Sequence, residues 1–343
     1  MARVRLGVIP AMGSGLESMA ATGQFERLFM HLRLYAAEFD VTYFTWGDWA
    51  EEERLWRPFQ EDTGAHLVSL RGWGWSRALR ACDVLRSMNL LGTIPALFAR
   101  WRWGIPFVMS YGAHYARIAA LHGRPTWKWT ALTHVALRWA QRVLVSNAAL
   151  AQRLRAMVPS AAITEHPNWV DGQRFAPDGR TRPGTPRTVL YVGRLVKEKN
   201  LPALAAAVGA VPETRLICVG AGPEESALRR LTVVTCVGVQ PWTHLPGWYH
   251  QADVFALPSH TEGHPKALTE AMACGLPCLV SPAVDAGEQA VWRTGDYAGG
   301  LRALFDPDRA RRFGAFARAY ALAHWDVHRL MPRELGYLHA AAG

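Results

Sequence analysis

The chain has 343 residues, of which 50% are apolar and 19% are charged, and its formal net charge at pH 7 is +10. Because single cores stop growing at ~250–300 residues, we expect two domains. The balance of apolar and charged residues is that of an ordinary globular protein and excludes a disordered chain.

Three sequence features narrow the class of protein further. No apolar run reaches the roughly 18 residues that a membrane-spanning helix needs. The amino terminus, MARVRLGVIPAMGSG, has too short an apolar run for a secretory signal. The five cysteines form no C-x-x-C pair, which argues against a disulfide framework and against a zinc site. We therefore expect a cytoplasmic protein.

Short β-rich runs alternate with helical stretches along the first half of the chain. Strands are predicted for VRLGVIP, VTYFTW, HLVSL, PFVMSYG and RVLVSN, and an amphipathic helix for GQFERLFMHLRLYAAEF. The stretch VDGQRFAPDGRTRPGTP is rich in Gly and Pro and indicates a linker. The alternation then restarts with RTVLYVG, TRLICVG, VVTCVG, DVFALPS and PCLVS. This alternation predicts two parallel sheets, each covered by helices on both faces.

The common phosphate and nucleophile motifs are absent. No strand is followed by a complete G-x-G-x-x-G, and neither a P-loop nor a G-x-S-x-G elbow occurs. The DPD at 306–308 precedes the helical stretch RARRFGAFARAYA, so we interpret it as a helix cap and not as a metal-binding D-x-D.

The segment EGHPKALTEAMACGLP, residues 262–277, combines two glutamates with a helix start. Gly263 and Pro265 keep Glu262 out of the helix, which we expect to begin near Pro265 and to run to Gly275. The first helical amides, near residues 266–268, then lack internal partners and favour an anion. Glu270 follows just over one turn later. Two carboxylates beside an anion site fit a nucleoside diphosphate sugar, whose hydroxyl-rich groups flank its phosphates.

A second anion feature follows the first strand of the second half. In YVGRLVKEKN, Arg194 and Lys199 come directly after that strand, where open α/β sheets bind ligands. Two fixed cations can neutralise a pyrophosphate leaving group without a metal.

At this point the chain resembles the retaining glycosyltransferases of family 4, which have the GT-B fold. The resemblance rests on HPNWVDGQRF, GRLVKEKN, CVGAGPE and YHQADVFALPSHTEGHPKALTEAMACGLP, in the family's order, and is strongest over residues 163–282. It implies that Glu262 and Glu270 form the family's E-x7-E pair, in which Glu262 faces the donor sugar and Glu270 binds the nucleotide ribose.

The same resemblance supplies the remaining site residues. SYGAHY lies where many members carry a sugar-contacting histidine, although the usual His-Gly order is displaced here. Glu288 matches an acidic residue of the family in a segment that is shorter than usual. The expected catalytic residues are Glu262 and His114, and the expected donor-binding residues are Arg194, Lys199, Glu270, Gly263, His264, Pro265, Lys266, Ala267, Leu268 and Gly23.

The resemblance also implies the domain plan and the activity. We expect an acceptor-binding Rossmann-like domain at 1–170, a linker at 171–187, a donor-binding Rossmann-like domain at 188–322 across a central cleft, and a helix at 323–343 that crosses back. The expected activity is metal-independent and cofactor-free transfer of a sugar, with retention, from a nucleoside diphosphate sugar to a lipid-linked or cell-surface glycan precursor. A GT-B nucleotide-sugar epimerase and a non-catalytic module that binds sugar nucleotides or membranes are the alternatives.

Positive charge is concentrated between Arg71 and Ser160. This segment contains thirteen Arg or Lys and one acid, a local net charge of +12, with the tryptophan-rich stretches GWGW, WRW and WKW. Such a face suits an anionic membrane surface, which would place the protein on the inner face of the plasma membrane. A solubilising face over core tryptophans is the alternative, and we do not expect nucleic acid as a partner.

Overall fold

A computed structural model of the chain describes residues 3–71, 74–112, 115–121, 123–179, 186–284 and 290–343. The residues divide into two compact units: Met1–Pro167 with Met331–Gly343, and Asn168–Leu330. No helix in these ranges is long and apolar enough to cross a membrane.

The described part of the first unit is built on a seven-stranded parallel sheet. The strands are β1 (Arg5–Ile9), β2 (Asp40–Thr45), β3 (His66–Ser69), β4 (Val84–Ser87), β5 (Phe107–Tyr111), β6 (Arg142–Val145) and β7 (Ile163–Glu165). They lie side by side in the order β3-β2-β1-β4-β5-β6-β7. The helices are α1 (Leu16–Ala21), α2 (Phe25–Glu38), α3 (Trp49–Thr63), α4 (Trp75–Arg80), α5 (Thr93–Trp103), α6 (Tyr115–Leu121), α7 (Trp127–Trp139) and α8 (Ala148–Met157).

The second unit, in its described part, has a six-stranded parallel sheet. Its strands are β8 (Arg187–Val192), β9 (Thr214–Val219), β10 (Val234–Gly238), β11 (Val254–Leu257), β12 (Cys278–Val280) and β13 (Trp292–Arg293), in the order β10-β9-β8-β11-β12-β13. The helices are α9 (Leu201–Gly209), α10 (Glu225–Leu228), α11 (Leu245–Tyr249), α12 (Lys266–Ala273), α13 (Tyr297–Leu304) and α14 (Pro307–Trp325). Helix α15 (Val327–Ala342) begins in this unit, but most of it belongs to the first. Both orders are that of a doubly wound Rossmann-like sheet, which confirms the predicted fold class.

All ten predicted strands are present, and the described residues contain three further strands that were not predicted: β4, β7 and β13. Strand β13 extends the edge of the second sheet by two residues and pairs with β12. The segment after β12, which looked shortened, therefore still supplies an edge strand. The DPD prediction is confirmed, because the Asp306 side chain accepts a hydrogen bond from the Arg309 amide (2.8 Å) at the start of α14.

The described half of the predicted linker is bonded to the second unit. The Asp171 carboxylate caps the following turn through the amides of Gln173 and Arg174, each at 3.0 Å. Phe175 is buried, and Arg318 of α14 donates to its carbonyl oxygen (3.1 Å). Residues 171–179 are thus part of the packed structure.

Helix α15 ends in the first unit and is held there by a buried charge cluster. Glu334 on α15 accepts from Arg86 Nε of β4 (2.6 Å) and from the Tyr35 hydroxyl of α2 (2.5 Å). His166 Nε2, which follows β7, lies 2.9 Å from the second carboxylate oxygen. Burial by itself would raise the pKa of Glu334, but the Arg86 guanidinium and the neighbouring His166 ring hold that pKa well below its usual range. The carboxylate is therefore ionised and fixes α15 to three elements of the unit.

Candidate functional site

The second sheet reverses its winding between β8 and β11. The order β10-β9-β8-β11-β12-β13 places these two strands side by side, and the connections that follow them leave in opposite directions. Ligands of doubly wound sheets bind outside the carboxyl ends of the strands at such a switch point. The loop after β8 carries Arg194 and Lys199, and the loop after β11 carries Glu262. Sheet topology alone thus gathers three predicted site residues at one edge.

Glycines allow the loops after β8 and β9 to lie against each other. A Cβ atom on Gly220 would come within 2.0 Å of the Gly193 carbonyl oxygen, and one on Gly222 within 2.3 Å of that of Leu195. The Leu195 amide donates to the Ala221 carbonyl oxygen (2.9 Å), and the Tyr191 hydroxyl donates to that of Arg194 (2.8 Å). The backbone that carries Arg194 is consequently held in place before any ligand binds.

Lys199 and Glu262 form an ion pair across the switch point. Lys199 Nζ lies 2.5 Å from Glu262 Oε1, and the Ser259 hydroxyl donates to the same oxygen (2.6 Å). Ser259 is fully buried, and its carbonyl oxygen accepts from the Ser281 hydroxyl (2.5 Å). The loop carboxylate therefore has a fixed position, and Lys199 keeps two N–H donors for another acceptor.

Arg194 is an available cation at this edge. Its side chain is exposed, and it forms no hydrogen bond or ion pair with the parts of the chain that the structure describes. It lies near enough to affect Tyr191, whose pKa is raised well above its usual value by burial and by Glu262, and is lowered in part by Arg194. A guanidinium with five donors next to an anchored Lys-Glu pair forms a site for an anion.

Helix α12 begins at Lys266, with Pro265 in an extended conformation at its N-cap, and ends at Ala273 before Gly275 in a left-handed conformation. The predicted helix start is therefore confirmed. One detail differs, since the Leu268 amide donates to the Pro265 carbonyl oxygen (3.1 Å) and is not an open donor. The Pro265 carbonyl oxygen thus accepts from two amides of the first turn, those of Leu268 and Thr269 (3.3 Å).

The loop before α12 contains Gly263 and His264. The Asn168 side-chain amide (Nδ2) donates to the His264 carbonyl oxygen (2.6 Å). The His264 ring packs edge-on against the Trp325 ring, with a centroid distance of 4.6 Å. All of these residues belong to the second unit. The loop and the first turn of α12, with Ala267 and Leu268, therefore follow Glu262 at the same sheet edge.

Glu270 occupies a buried position on α12 and is 3% exposed. Its Oε1 accepts from Trp242 Nε1 (3.0 Å), and its Oε2 accepts from the Tyr249 hydroxyl (2.9 Å). Burial and the neighbouring Glu270 raise the pKa of Tyr249 well above its usual value, so the hydroxyl remains a donor. The two hydrogen bonds hold the Glu270 carboxylate in one orientation.

Trp242 and Tyr249 were not predicted as partners of Glu270. Both are fully buried, and Trp242 packs against Trp169 and Phe175 while the Arg174 guanidinium lies over its ring at 4.9 Å. The stretch PWTHLPGWY contains the only hint, because a buried Trp or Tyr needs a partner for its polar atom. Which residue accepts these hydrogen bonds depends on tertiary contacts and cannot be seen in the sequence.

Gly23, His114 and Glu288 are the remaining predicted residues. Gly23 belongs to the first unit, where it is buried between α1 and α2 with φ of +68° and donates its amide to the Ala20 carbonyl oxygen (3.0 Å). His114 and Glu288 lie outside the described residues. In the ranges that the structure covers, no group of three or more His, Cys, Asp or Glu side chains is arranged to hold a metal ion.

Comparison with protein families gives a match within the second unit. Residues 186–319 match the family model described as glycosyl transferases group 1. A GDP-mannose-dependent alpha-(1-6)-phosphatidylinositol monomannoside mannosyltransferase of Mycolicibacterium smegmatis is 31% identical over 61% of this chain and 66% of that protein. A GDP-mannose-dependent alpha-mannosyltransferase of Mycobacterium tuberculosis is 33% identical over 62% of this chain and 58% of its own length. The chain thus matches less than two thirds of the length of these relatives.

Solved structures share the whole fold. Sucrose-phosphate synthase from Thermosynechococcus elongatus superposes with a TM-score of 0.76 at 18% identity, covering 98% of both chains. Anabaena HepE in complex with UDP and glucose has a TM-score of 0.75 at 16% identity, covering 99% of this chain and all (100%) of that one. These likenesses show that the chain has the GT-B fold, and residues 186–319 match the family described as glycosyl transferases group 1.

Proposed function

We propose that this chain is a retaining glycosyltransferase that moves a sugar from a nucleoside diphosphate sugar to a lipid-linked acceptor. One observation carries the proposal: Lys199 and Glu262 meet at 2.5 Å at the switch point of the second sheet, with the exposed Arg194 on the same loop as Lys199. A cation pair next to a fixed carboxylate suits a ligand that has phosphates at one end and a hydroxyl-rich sugar beside them.

In the proposed mode of binding, Arg194 and Lys199 neutralise the diphosphate. One further negative charge develops on the departing nucleoside diphosphate, and preorganised cations stabilise that charge more strongly than they stabilise the bound donor. The ion pair with Glu262 holds Lys199 in place beforehand, so little side-chain ordering is left for the reaction. No metal is needed in this scheme, since the two side chains supply the positive charge.

Glu262 then orients the sugar. With Oε1 engaged by Lys199 and Ser259, Oε2 is the acceptor for a donor-sugar hydroxyl. In the proposed front-face reaction the bond from the anomeric carbon to the β-phosphate oxygen breaks. The acceptor oxygen bonds to the same face of that carbon, and its proton passes to the departing phosphate. His264, Pro265, Lys266 and the first turn of α12 would border the sugar and phosphates.

The nucleoside end is assigned to Glu270. Trp242 and Tyr249 each donate to one of its oxygens and hold the carboxylate in one orientation, and the family resemblance assigns it to the ribose hydroxyls. In the first unit, we assign Gly23 and His114 to the phosphate and sugar ends by resemblance.

The lipid-linked acceptor is supported by the relatives. The Mycolicibacterium protein is named for a phosphatidylinositol monomannoside acceptor, which is a lipid-linked sugar. We accordingly propose that the chain works in the cytoplasm at the inner face of the plasma membrane.

The test is calorimetric binding of GDP-mannose, UDP-glucose and an ADP-sugar to the wild-type chain and to single variants. Arg194→Ala and Lys199→Ala should each weaken binding of the diphosphate by about 1.5–3 kcal/mol, the worth of a hydrogen bond to a charged group. Lys197→Ala is the matched control, because Lys197 is an exposed lysine in the same 3₁₀ turn as Lys199. Its binding should remain that of the wild type.

Three results would contradict the proposal. Donor binding that is unchanged in both Arg194→Ala and Lys199→Ala would remove the phosphate site. Epimerised donor formed without any acceptor would indicate an epimerase. Tight donor binding with neither hydrolysis nor transfer, across a panel of lipid-linked and free glycan acceptors, would indicate a non-catalytic binding module.

A further inference from the structure

Helices α5 and α7 of the first unit pack against each other and expose an unusual share of large apolar side chains. Of the ten such side chains exposed in the described residues, five lie on these two helices: Ile94, Trp101, Trp127, Val135 and Trp139. Trp101 and Trp127 are 68% and 66% exposed. By contrast, Trp103 and Trp129 of the same helices pack against the core. The exposed tryptophans are therefore not needed to fill the interior.

The same surface carries uncompensated positive charge. Between Asp83 and Glu165 the sequence contains no acidic residue, and Asp83 is already paired with Arg5 at 2.6 Å. Arg102, Lys128 and Arg138 are exposed on α5 and α7. None of them forms an ion pair within the described parts of the chain.

The carboxyl-terminal ends of α5 and α7 enclose a polar recess. A cavity of about 470 Å³ is lined by Arg100 and Trp101 from α5, by Arg138 and Trp139 from α7, and by the residues that follow each helix. Arg100 donates to the Gly104 carbonyl oxygen (2.8 Å), which holds its guanidinium at the rim. Two arginines and two indoles thus frame a space that would accept a phosphate headgroup.

We propose that α5 and α7 form a docking face for an anionic lipid bilayer, with lipid phosphates held by Arg100 and Arg138 and the indoles of Trp101, Trp127 and Trp139 seated at headgroup level. Tryptophan is favoured at this depth because its ring is apolar and its N–H is polar. Basic residues beside an anionic leaflet add attraction that salt screens.

The positive charge and the exposed apolar side chains of α5 and α7 together favour a bilayer over a second copy of the chain or a nucleic acid. A second copy of the chain, docked symmetrically through α5 and α7, would bring the basic side chains of these two helices, which carry no acid, against each other and would be repelled. Nucleic acid satisfies the charge, but it leaves Ile94 and Val135 without an apolar environment. A bilayer satisfies both the charge and the apolar side chains.

The experiment is co-sedimentation of the full chain with vesicles, without any donor or acceptor. The vesicles contain phosphatidylcholine alone, or phosphatidylcholine with phosphatidylglycerol at a ratio of roughly two to one, at roughly 0.05 M and 0.5 M salt. The variants are Arg100→Gln, Arg138→Gln and a Trp101→Ser/Trp127→Ser double replacement. The matched control is Trp49→Ser, because Trp49 of α3 is 45% exposed but is followed by the acids Glu51, Glu52 and Glu53.

Binding to the anionic vesicles is expected at low salt and should fall at high salt. Each arginine replacement should lower the partition coefficient by about fivefold, the double tryptophan replacement should lower it by about tenfold or more, and Trp49→Ser should match the wild type. Equal or negligible binding to both kinds of vesicle would overturn the proposal, as would wild-type binding by all α5 and α7 variants. Tighter binding to a duplex oligonucleotide than to the vesicles, or concentration-dependent dimerisation abolished by the same replacements, would also overturn it. Calorimetric donor binding by the same variants reports separately on the proposed function.

Discussion

Glu334→Gln tests whether the buried charge cluster fixes α15 to the first unit. Glu334 and Arg86 are 1% and 3% exposed, and their charged atoms lie 2.6 Å apart. Glutamine keeps the size of the side chain but leaves the Arg86 charge buried without a counter-charge. Removing one partner from such a pair costs about 3–5 kcal/mol, because the remaining ion has lost its solvent and its partner together. We expect a loss of that size in the free energy that holds α15 and β4 in place.

The measurement is native-state hydrogen exchange of peptides from α15 and β4, which reports opening of this unit separately from the other. Glu38→Gln is the control. Glu38 of α2 lies 2.8 Å from His339 of α15, but both side chains are exposed, and exposed pairs contribute less than about 1 kcal/mol. An Arg86→Met/Glu334→Leu double replacement should recover much of the loss. Equal effects of Glu334→Gln and Glu38→Gln would refute the reasoning.

Three further outcomes are expected. Burial lowers the pKa of His31 to about 4, although Glu334 partly opposes this shift. As the pH falls below about 6.5, His31 is therefore protonated in the unfolded chain before it is protonated in the folded one, which favours unfolding. The chain should therefore lose up to about 3 kcal/mol of stability between pH 6.5 and 4, and a His31→Gln variant measured by chemical denaturation should lose less; an identical pH profile would refute this. Trp242→Phe removes one donor to Glu270 and should weaken binding of free nucleotide by about 0.5–1.5 kcal/mol with little effect on the sugar dependence; unchanged nucleotide affinity in calorimetry would contradict the assigned ribose contact. Activity should survive exhaustive chelation, whereas loss with EDTA and recovery with Mn²⁺ or Mg²⁺ would show that Arg194 and Lys199 are insufficient.

The regular part of the fold and the phosphate-binding loops could be predicted from the sequence because local pattern specifies them. Apolar β-rich runs define the predicted strands, which are three to six residues long in the structure. Pro265 and Gly275 mark the two ends of α12, because Pro restricts the backbone and Gly frees it. Arg194, Lys199 and Glu262 followed from their positions just after strands. Parallel strands end at one edge of a sheet, so residues that are far apart in sequence converge there without any further information.

Tertiary structure alone decided which polar groups have partners. Strand β4 was missed because Arg86 interrupts its apolar run, and this charge is tolerated in the sheet only because Glu334, 248 residues later, neutralises it. Likewise, the sequence does not show that Trp242 and Tyr249 donate to Glu270, nor that Trp101 faces solvent while Trp103, two residues later, packs on the core. Local pattern determines the elements because backbone hydrogen bonds and side-chain alternation repeat over a few residues. Burial, charge compensation and exposure depend on which elements pack together, and only the folded chain determines them.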